Sequence, residues 1–120
     1  MTQSLIAVLD DDDHVRAATA SLLRSVGYRT LLYASVEEFF AGAPREVDCI
    51  LSDYRMPGRS GLELLEELRG RACDVPFILM TAFLSDPLRS RALSDGALAV
   101  LDKPVDEERL LGLLESALEH

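Results

Sequence analysis

Val47–Gly61 reads VDCILSDYRMPGRSG, and the rest of the chain can be laid out from it. The opening residues, Val47 to Leu51, form a short apolar run containing the β-branched Val47 and Ile50, the mark of a buried strand. The run stops on Asp53, after which Tyr54, Arg55, Met56, Pro57 and Gly58 turn the chain aside. A carboxylate left at the end of a strand suits a covalent nucleophile. It equally suits an ordinary helix-capping Asp.

Immediately downstream, Gly61–Arg69 sets Leu62, Leu65 and Leu68 on one side and Glu63, Glu66 and Glu67 on the other, which predicts an amphipathic helix. Upstream, Ser35 is a cap for a short helix with Val36, Phe39 and Phe40 inward, ending by Gly42 and Pro44, and Arg29–Tyr33 precedes it as a strand. Ser4–Leu9 (SLIAVL) reads as a buried strand running straight into Asp10, Asp11, Asp12 and Asp13. A helix from about His14 to Val26 follows, with Val15, Ala18, Leu22, Leu23 and Val26 expected on its inner face, Asp12 or Asp13 as its cap and Gly27 as its stop. Toward the C-terminus, Val75–Met80 is a strand ending at Thr81. Ser85 or Asp86 with Pro87 then starts a helix that runs to about Ser94 and stops near Gly96. Ala97–Leu101 is the last strand, leading into Asp102, Lys103 and Pro104. The closing helix, Val105–Leu118, should bury Leu110, Leu113, Leu114, Ala117 and Leu118.

Five apolar strands thus alternate with five amphipathic helices. That is the signature of an α/β domain with one doubly wound parallel sheet, covered by helices on both faces. The length of 120 residues suits a single domain, 48% apolar and 28% charged residues suit a globular one, and no repeat or linker divides it. The longest apolar run, Val75–Met80, is far short of the roughly 20 residues of a membrane span. The N-terminus lacks the basic flank and cleavage site of a secretory leader, and the unpatterned Cys49 and Cys73 read as reduced thiols, so a cytoplasmic protein is expected. The net charge of −9 argues against nucleic-acid binding by this chain itself. The closing Leu118-Glu119-His120 suits a native end or the start of a vector-encoded tag equally.

In a parallel sheet the functional crevice lies beyond the carboxyl ends of the strands. Those ends carry Asp10 and Asp11, Asp53, Thr81 and Lys103. Singly, each is an ordinary polar residue where a strand emerges into water, and Asp12 and Asp13 read as helix caps. Jointly they make a chemical set. Converging carboxylates repel unless a cation joins them. A hard divalent ion, Mg2+ with Mn2+ as an alternative, resolves that conflict and leaves coordination positions for phosphate oxygens. A lysine adds a compact positive charge and a threonine a hydroxyl donor. Nucleophile, metal, cation and hydroxyl are what phosphoryl transfer onto a carboxylate requires.

The pieces LIAVLDDDD (Leu5–Asp13), LSDYRMPGRSGLELL (Leu51–Leu65), PFILMTA (Pro76–Ala82) and LDKP (Leu101–Pro104) occur in the order and spacing of a known family. Over nearly its whole length the chain resembles the receiver domain of two-component response regulators, and DYRMPGRSGLELL is similar to the FixJ-like class in particular. The resemblance implies the flavodoxin- or CheY-like strand order 2-1-3-4-5. It also implies Asp53 as phosphoacceptor from the phosphohistidine of a sensor histidine kinase or phosphotransfer protein. Asp11 would then be a direct metal ligand, Asp10 would act through water, and the Arg55 backbone carbonyl would be a further ligand. Thr81 and Lys103 would contact the phosphoryl group, and the Lys103–Pro104 bond would be cis. Homodimerisation through the fourth and fifth helices on phosphorylation would be the expected readout. The domain, residues 1–120, would stand alone or form the N-terminal module of a longer regulator.

One position departs from the family. An aromatic commonly stands three residues before the lysine, and here it is Val100. A valine has no ring to swing inward, so the relay from the site must run differently, for which a shift of the 81–87 loop with Phe83 repacking is a candidate. Two other readings compete with a self-phosphorylating switch. A degenerate receiver would serve only as a protein-binding module. A phosphatase of the haloacid-dehalogenase type would place its nucleophile at Asp10 in a D-x-D pattern, but His14 occupies the position of its usual Thr or Val.

Overall fold

The computed structural model describes residues 3–42 and 46–118. The proposed stop at Pro44 and the closing Glu119-His120 lie outside them. The chain runs β1 (Leu5–Leu9), α1 (Asp13–Ser25), β2 (Arg29–Tyr33), α2 (Val36–Ala41), β3 (Cys49–Asp53), α3 (Gly61–Gly70), β4 (Phe77–Thr81), α4 (Asp86–Ser94), β5 (Ala99–Asp102) and α5 (Glu107–Leu118). The strands form one parallel sheet in the order β2-β1-β3-β4-β5.

Every residue of β1, β3 and β4 is buried, which is why these strands read as unbroken apolar runs. Their side chains alternate between two cores. Ala7, Leu9, Ile50, Phe77, Leu79 and Val100 point to the layer of α2, α3 and α4. Ile6, Val8, Leu51, Ile78, Met80 and Leu101 point to that of α1 and α5. Val100 is 4% exposed and lies opposite Leu79, so the position of the missing aromatic is filled core.

Helix ends follow local chemistry. The Asp12 carboxylate accepts from the amides of His14 and Val15, deciding the cap of α1 in its favour. Ser60 and Glu63 form a reciprocal capping box on α3, and Ser85 caps α4. Gly27 follows α1 with φ 99°, a left-handed conformation that glycine takes without steric cost. At the amino edge of the sheet, Arg69 donates to the carbonyls of Cys73 (2.7 Å), Val75 (3.0 Å) and Gly96 (3.1 Å), tying the end of α3 to the entrance of β4 and the turn before β5.

Several expected boundaries and faces shift. β3 begins at Cys49, because Asp48 is engaged in reciprocal bonds with Leu5: its amide donates to the Leu5 carbonyl and its carboxylate accepts from the Leu5 amide. β4 and β5 each start two residues later than their apolar runs, and α5 starts at Glu107, with the Asp106 side chain accepting from Arg109. In α1 the buried residues are Ala20 and Leu23, whereas Val15, Ala18 and Val26 are exposed and Leu22 is half-buried. In α3 the buried leucines are Leu64, Leu65 and Leu68, and Leu62 is only partly covered. In α5 they are Leu110 and Leu114, with Leu111, Leu113 and Leu118 packed at the margin.

Candidate functional site

The carboxyl ends of β1, β3, β4 and β5 bring Asp10, Asp53, Thr81 and Lys103 together, and loop bonds carry the sheet's order into the crevice. The Tyr54 amide donates to Met80 (2.7 Å), the Lys103 amide to Thr81 (2.8 Å) and the Asp10 amide to Tyr33 (3.1 Å). Gly61 opens α3 so close to the end of β3 that a Cβ there would collide with the Asp53 carbonyl and come within 2.9 Å of Ser52 Oγ. Only glycine lets the helix start under the strand and leave the Asp53 side chain facing outward. The Lys103–Pro104 bond is cis.

Carboxylate oxygens of Asp10, Asp11 and Asp53 lie within 4.8 Å of one another. Asp10 is 1% exposed and Asp53 8%. Lys103 Nζ sits between them, 2.9 Å from Asp10 Oδ2 and 3.3 Å from Asp53 Oδ2. The other Asp10 oxygen accepts the amide of Asp12 at 3.0 Å. Asp11, by contrast, is exposed, and among the described residues its carboxylate has no hydrogen-bond donor.

The electrostatics are those of an over-filled acidic site. Burial pushes the Asp53 carboxyl above its ordinary value; Lys103 pulls against that, and Asp10 and Asp11 push with it. Burial also works against charge on Lys103, but its hydrogen bond to Asp10 and the two carboxylates outweigh it and hold the ammonium above the usual lysine value. Three carboxylates against one ammonium leave an excess of negative charge on hard oxygen donors. That donor set fits Mg2+ or Mn2+ and suits neither a soft metal nor an anion.

Two hollows flank Asp53. One of about 420 Å3 is lined by Asp11, Tyr54, Arg55, Met56, Pro57 and Ser60. The other, about 140 Å3, is lined by Asp53, Arg55, Thr81, Ala82, Phe83 and Lys103. Arg55 belongs to both, and its guanidinium stacks 4.9 Å above the ring of Phe83, which is 66% exposed. Thr81 is buried; its hydroxyl accepts the Phe83 amide at 3.0 Å and donates to no partner among the described residues.

All six residues singled out from the sequence therefore meet at one edge. His14 is exposed and belongs to no cluster of metal-binding geometry among the described residues. The arrangement does not suit a nucleophile at Asp10, whose two oxygens are taken by Lys103 and the Asp12 amide, while Asp12 caps a helix. Sequence reasoning missed Arg16 and Ser52. Arg16 Nη1 donates to the Asp10 carbonyl (2.7 Å) and Nη2 to Asp13 (2.5 Å), and the Ser52 hydroxyl donates to the Asp53 carbonyl (3.0 Å). An arginine one turn into the first helix was the available signal for the former.

Beside the acidic edge, α1 and α5 bound a mainly apolar groove of about 490 Å3 whose lining includes Val15, Ala18, Leu22, Pro104, Val105 and Leu110. It accounts for Val15 and Ala18, apolar residues of α1 that stand exposed. Cys49 and Cys73 are free. No described helix is long and apolar enough to cross a membrane.

Residues 6–115 match the model of the family described as "Response regulator receiver domain". The chain is 41% identical to the transcriptional regulatory protein FixJ of Azorhizobium caulinodans, over 98% of this chain and 57% of that protein. It is 34% identical to the response regulator protein TodT of Pseudomonas putida, over 96% and 51%. It thus spans about half the length of the curated relatives it matches. Among solved structures, FixJ-N superposes with a TM-score of 0.87 at 30% identity, covering 100% of this chain and 97% of that one. A CheY-like receiver from Methanospirillum hungatei superposes with a TM-score of 0.91 at 27% identity, covering 98% and 95%.

Proposed function

The chain belongs to the response regulator receiver domain family, in its FixJ-like branch, and on that footing we propose that Asp53 is its phosphoacceptor in a divalent-metal-dependent reaction. The observation that carries this reading is the seating of Asp53 beside Lys103 at 3.3 Å, on the wall of a hollow shared with Thr81. An Asp53 carboxylate oxygen attacks the phosphorus of a phosphohistidine; the new O–P bond forms as the P–N bond breaks, and the imidazole leaves. Lys103 stands where it balances charge on both the carboxylate and the incoming phosphoryl oxygens, and the unspent Thr81 O–H is placed to donate to one of them. Asp11, exposed and undonated, suits direct ligation of Mg2+ or Mn2+. Asp10, with both oxygens engaged, suits a hold through water, and the Arg55 carbonyl and Asp53 complete the protein's share. A bound divalent ion would supply neutralisation of the carboxylates and of the transferring phosphoryl charge.

The donor is a sensor histidine kinase or a phosphotransfer protein, for whose docking helix the apolar groove between α1 and α5 is a fitting seat, since it borders Lys103 and Pro104. The setting is cytoplasmic, in keeping with two free thiols. The output is a change of partner contacts, including pairing through α4 and α5, where Leu93 of α4 stands 46% exposed. Regulation of transcription by a longer chain accords with the length and names of the relatives, and the domain itself makes no nucleic-acid contact, in keeping with its charge of −9.

Acetyl phosphate with Mg2+ is expected to add one phosphoryl group by intact mass, chelator to prevent it, and Asp53→Asn to abolish it. A wild-type protein left unlabelled under conditions that label another receiver would overturn the reading.

A further inference from the structure

We propose that Arg16 is the positioning residue of the acidic edge, holding the Asp10–Asp11 peptide in the orientation from which both carboxylates face the metal. The inference rests on the reading that Asp10 and Asp11 hold a divalent ion. Arg16 lies on the second turn of α1 with its side chain 18% exposed, far less than the 83% of its partner Asp13. Its two terminal nitrogens are divided between the Asp10 carbonyl at 2.7 Å and the Asp13 carboxylate at 2.5 Å. The carbonyl is the telling partner. It belongs to the peptide that joins the two acids, so a donor fixed on it fixes the plane from which the Asp11 side chain projects. The Asp12 amide on Asp10 Oδ1, at 3.0 Å, closes the turn from its other side.

Asp11 needs this help because nothing else among the described residues grips its side chain, whereas Asp10 has Lys103. The fork of a guanidinium presents two nitrogens to two acceptors in one fixed plane; an ammonium on the same helix is a point charge that does not fix that plane. A fixed positive charge beside a metal site repels the metal, so an Arg16 that were mere background would weaken binding, and its removal would tighten it. A positioning Arg16 makes the opposite prediction. Residues that orient ligands from behind typically account for about 10–100-fold in metal affinity.

Mg2+ is titrated calorimetrically, and Mn2+ by electron paramagnetic resonance, into the unphosphorylated chain. Arg16→Met is expected to weaken binding by about tenfold or more and Arg16→Lys to restore part of the loss, in line with the ligand-orienting range. Asp13→Asn, at an exposed position that can be changed without emptying a buried one, is expected to weaken binding less than Arg16→Met. The double variant is expected to be no weaker than Arg16→Met alone. In self-phosphorylation by acetyl phosphate, the half-saturating Mg2+ concentration should rise by a larger factor than the saturated rate falls, a split that general loosening of the fold would not produce. Arg16→Met binding as tightly as wild type overturns the proposal. Asp11→Asn keeping wild-type affinity would instead remove the metal reading beneath it, an outcome distinct from Asp11→Asn losing the metal while Arg16→Met keeps it.

Discussion

Cys49 and Asp53 are both buried in one strand of five residues, and burial sends both upward from their ordinary values. For Asp53 the rise is contested by Lys103, which keeps a carboxylate poised against a cation. Cys49 has no such partner, and burial pushes its thiol from 9.0 to about 12. The folded chain therefore holds this proton, in the window between pH 9 and about 12, where the unfolded chain has released it. Stability is lost as pH rises through that window, by up to about 4 kcal/mol from this one group. Tyr28 and Lys103, also raised, lose stability in the same direction. Urea midpoints at pH 8 and pH 11 should accordingly fall steeply for wild type and less for Cys49→Ala, which carries no thiol. Equal falls would show that the thiol does not sense its burial.

α1 shows what an element can hide from its own sequence. Its inner ridge runs through the half-buried Arg16 and the buried Ala20 and Leu23, one side chain per turn, with the arginine reaching the acidic edge. The more conspicuous apolar stripe of Val15, Ala18 and Leu22 lies beside that ridge and lines the groove against α5. Periodicity reports that a helix has an apolar stripe; it does not report whether the stripe meets the core or waits for a partner. The stripe's use is testable. Ala18→Glu puts a charge into the groove at an exposed site, so the fold should lose no more than about 0.5 kcal/mol. Labelling by acetyl phosphate should persist, while transfer from a phosphorylated sensor kinase that serves the wild type should slow about tenfold, the equivalent of about 1.4 kcal/mol. Equal slowing with both donors would place the defect in the chemistry and clear the groove of a docking role. The strands were legible for the converse reason. Runs such as Ile50–Leu51 and Phe77–Met80 are covered on both faces, so no choice of face had to be made. Asp10, Asp53, Thr81 and Lys103 were legible because each directly follows or ends such a run. Arg16 and the stack of Arg55 on Phe83 were not, since each is a contact between residues whose types are ordinary on a surface.

Across the whole molecule the two edges of the sheet are built differently. The carboxyl edge is a set of loops joined by side chains around a surplus of negative charge. Thr81, Phe83 and Arg55 form a chain there, from the hydroxyl through the amide to the stacked guanidinium. Val100 is packed into the core, and the Thr81–Phe83 bond ties the hydroxyl to the loop that leads into α4. The amino edge is stapled by Arg69 across three carbonyls, one of them that of Gly96 just past the end of α4. Hydrogen exchange with and without a beryllofluoride mimic should therefore change for the amides from Phe83 to Leu88 and stay the same for those from Asp95 to Ala97. Uniform change along the segment would contradict this. Anchored behind at Gly96, α4 is expected to move as a pointer on a pin, swinging and not sliding. A nine-residue helix is about 13 Å long, so a swing of about 10° would carry its forward tip about 2 Å while its base stays still. The Arg69 staple, at the edge remote from the chemistry, would thus set the direction in which any message from Asp53 leaves the domain.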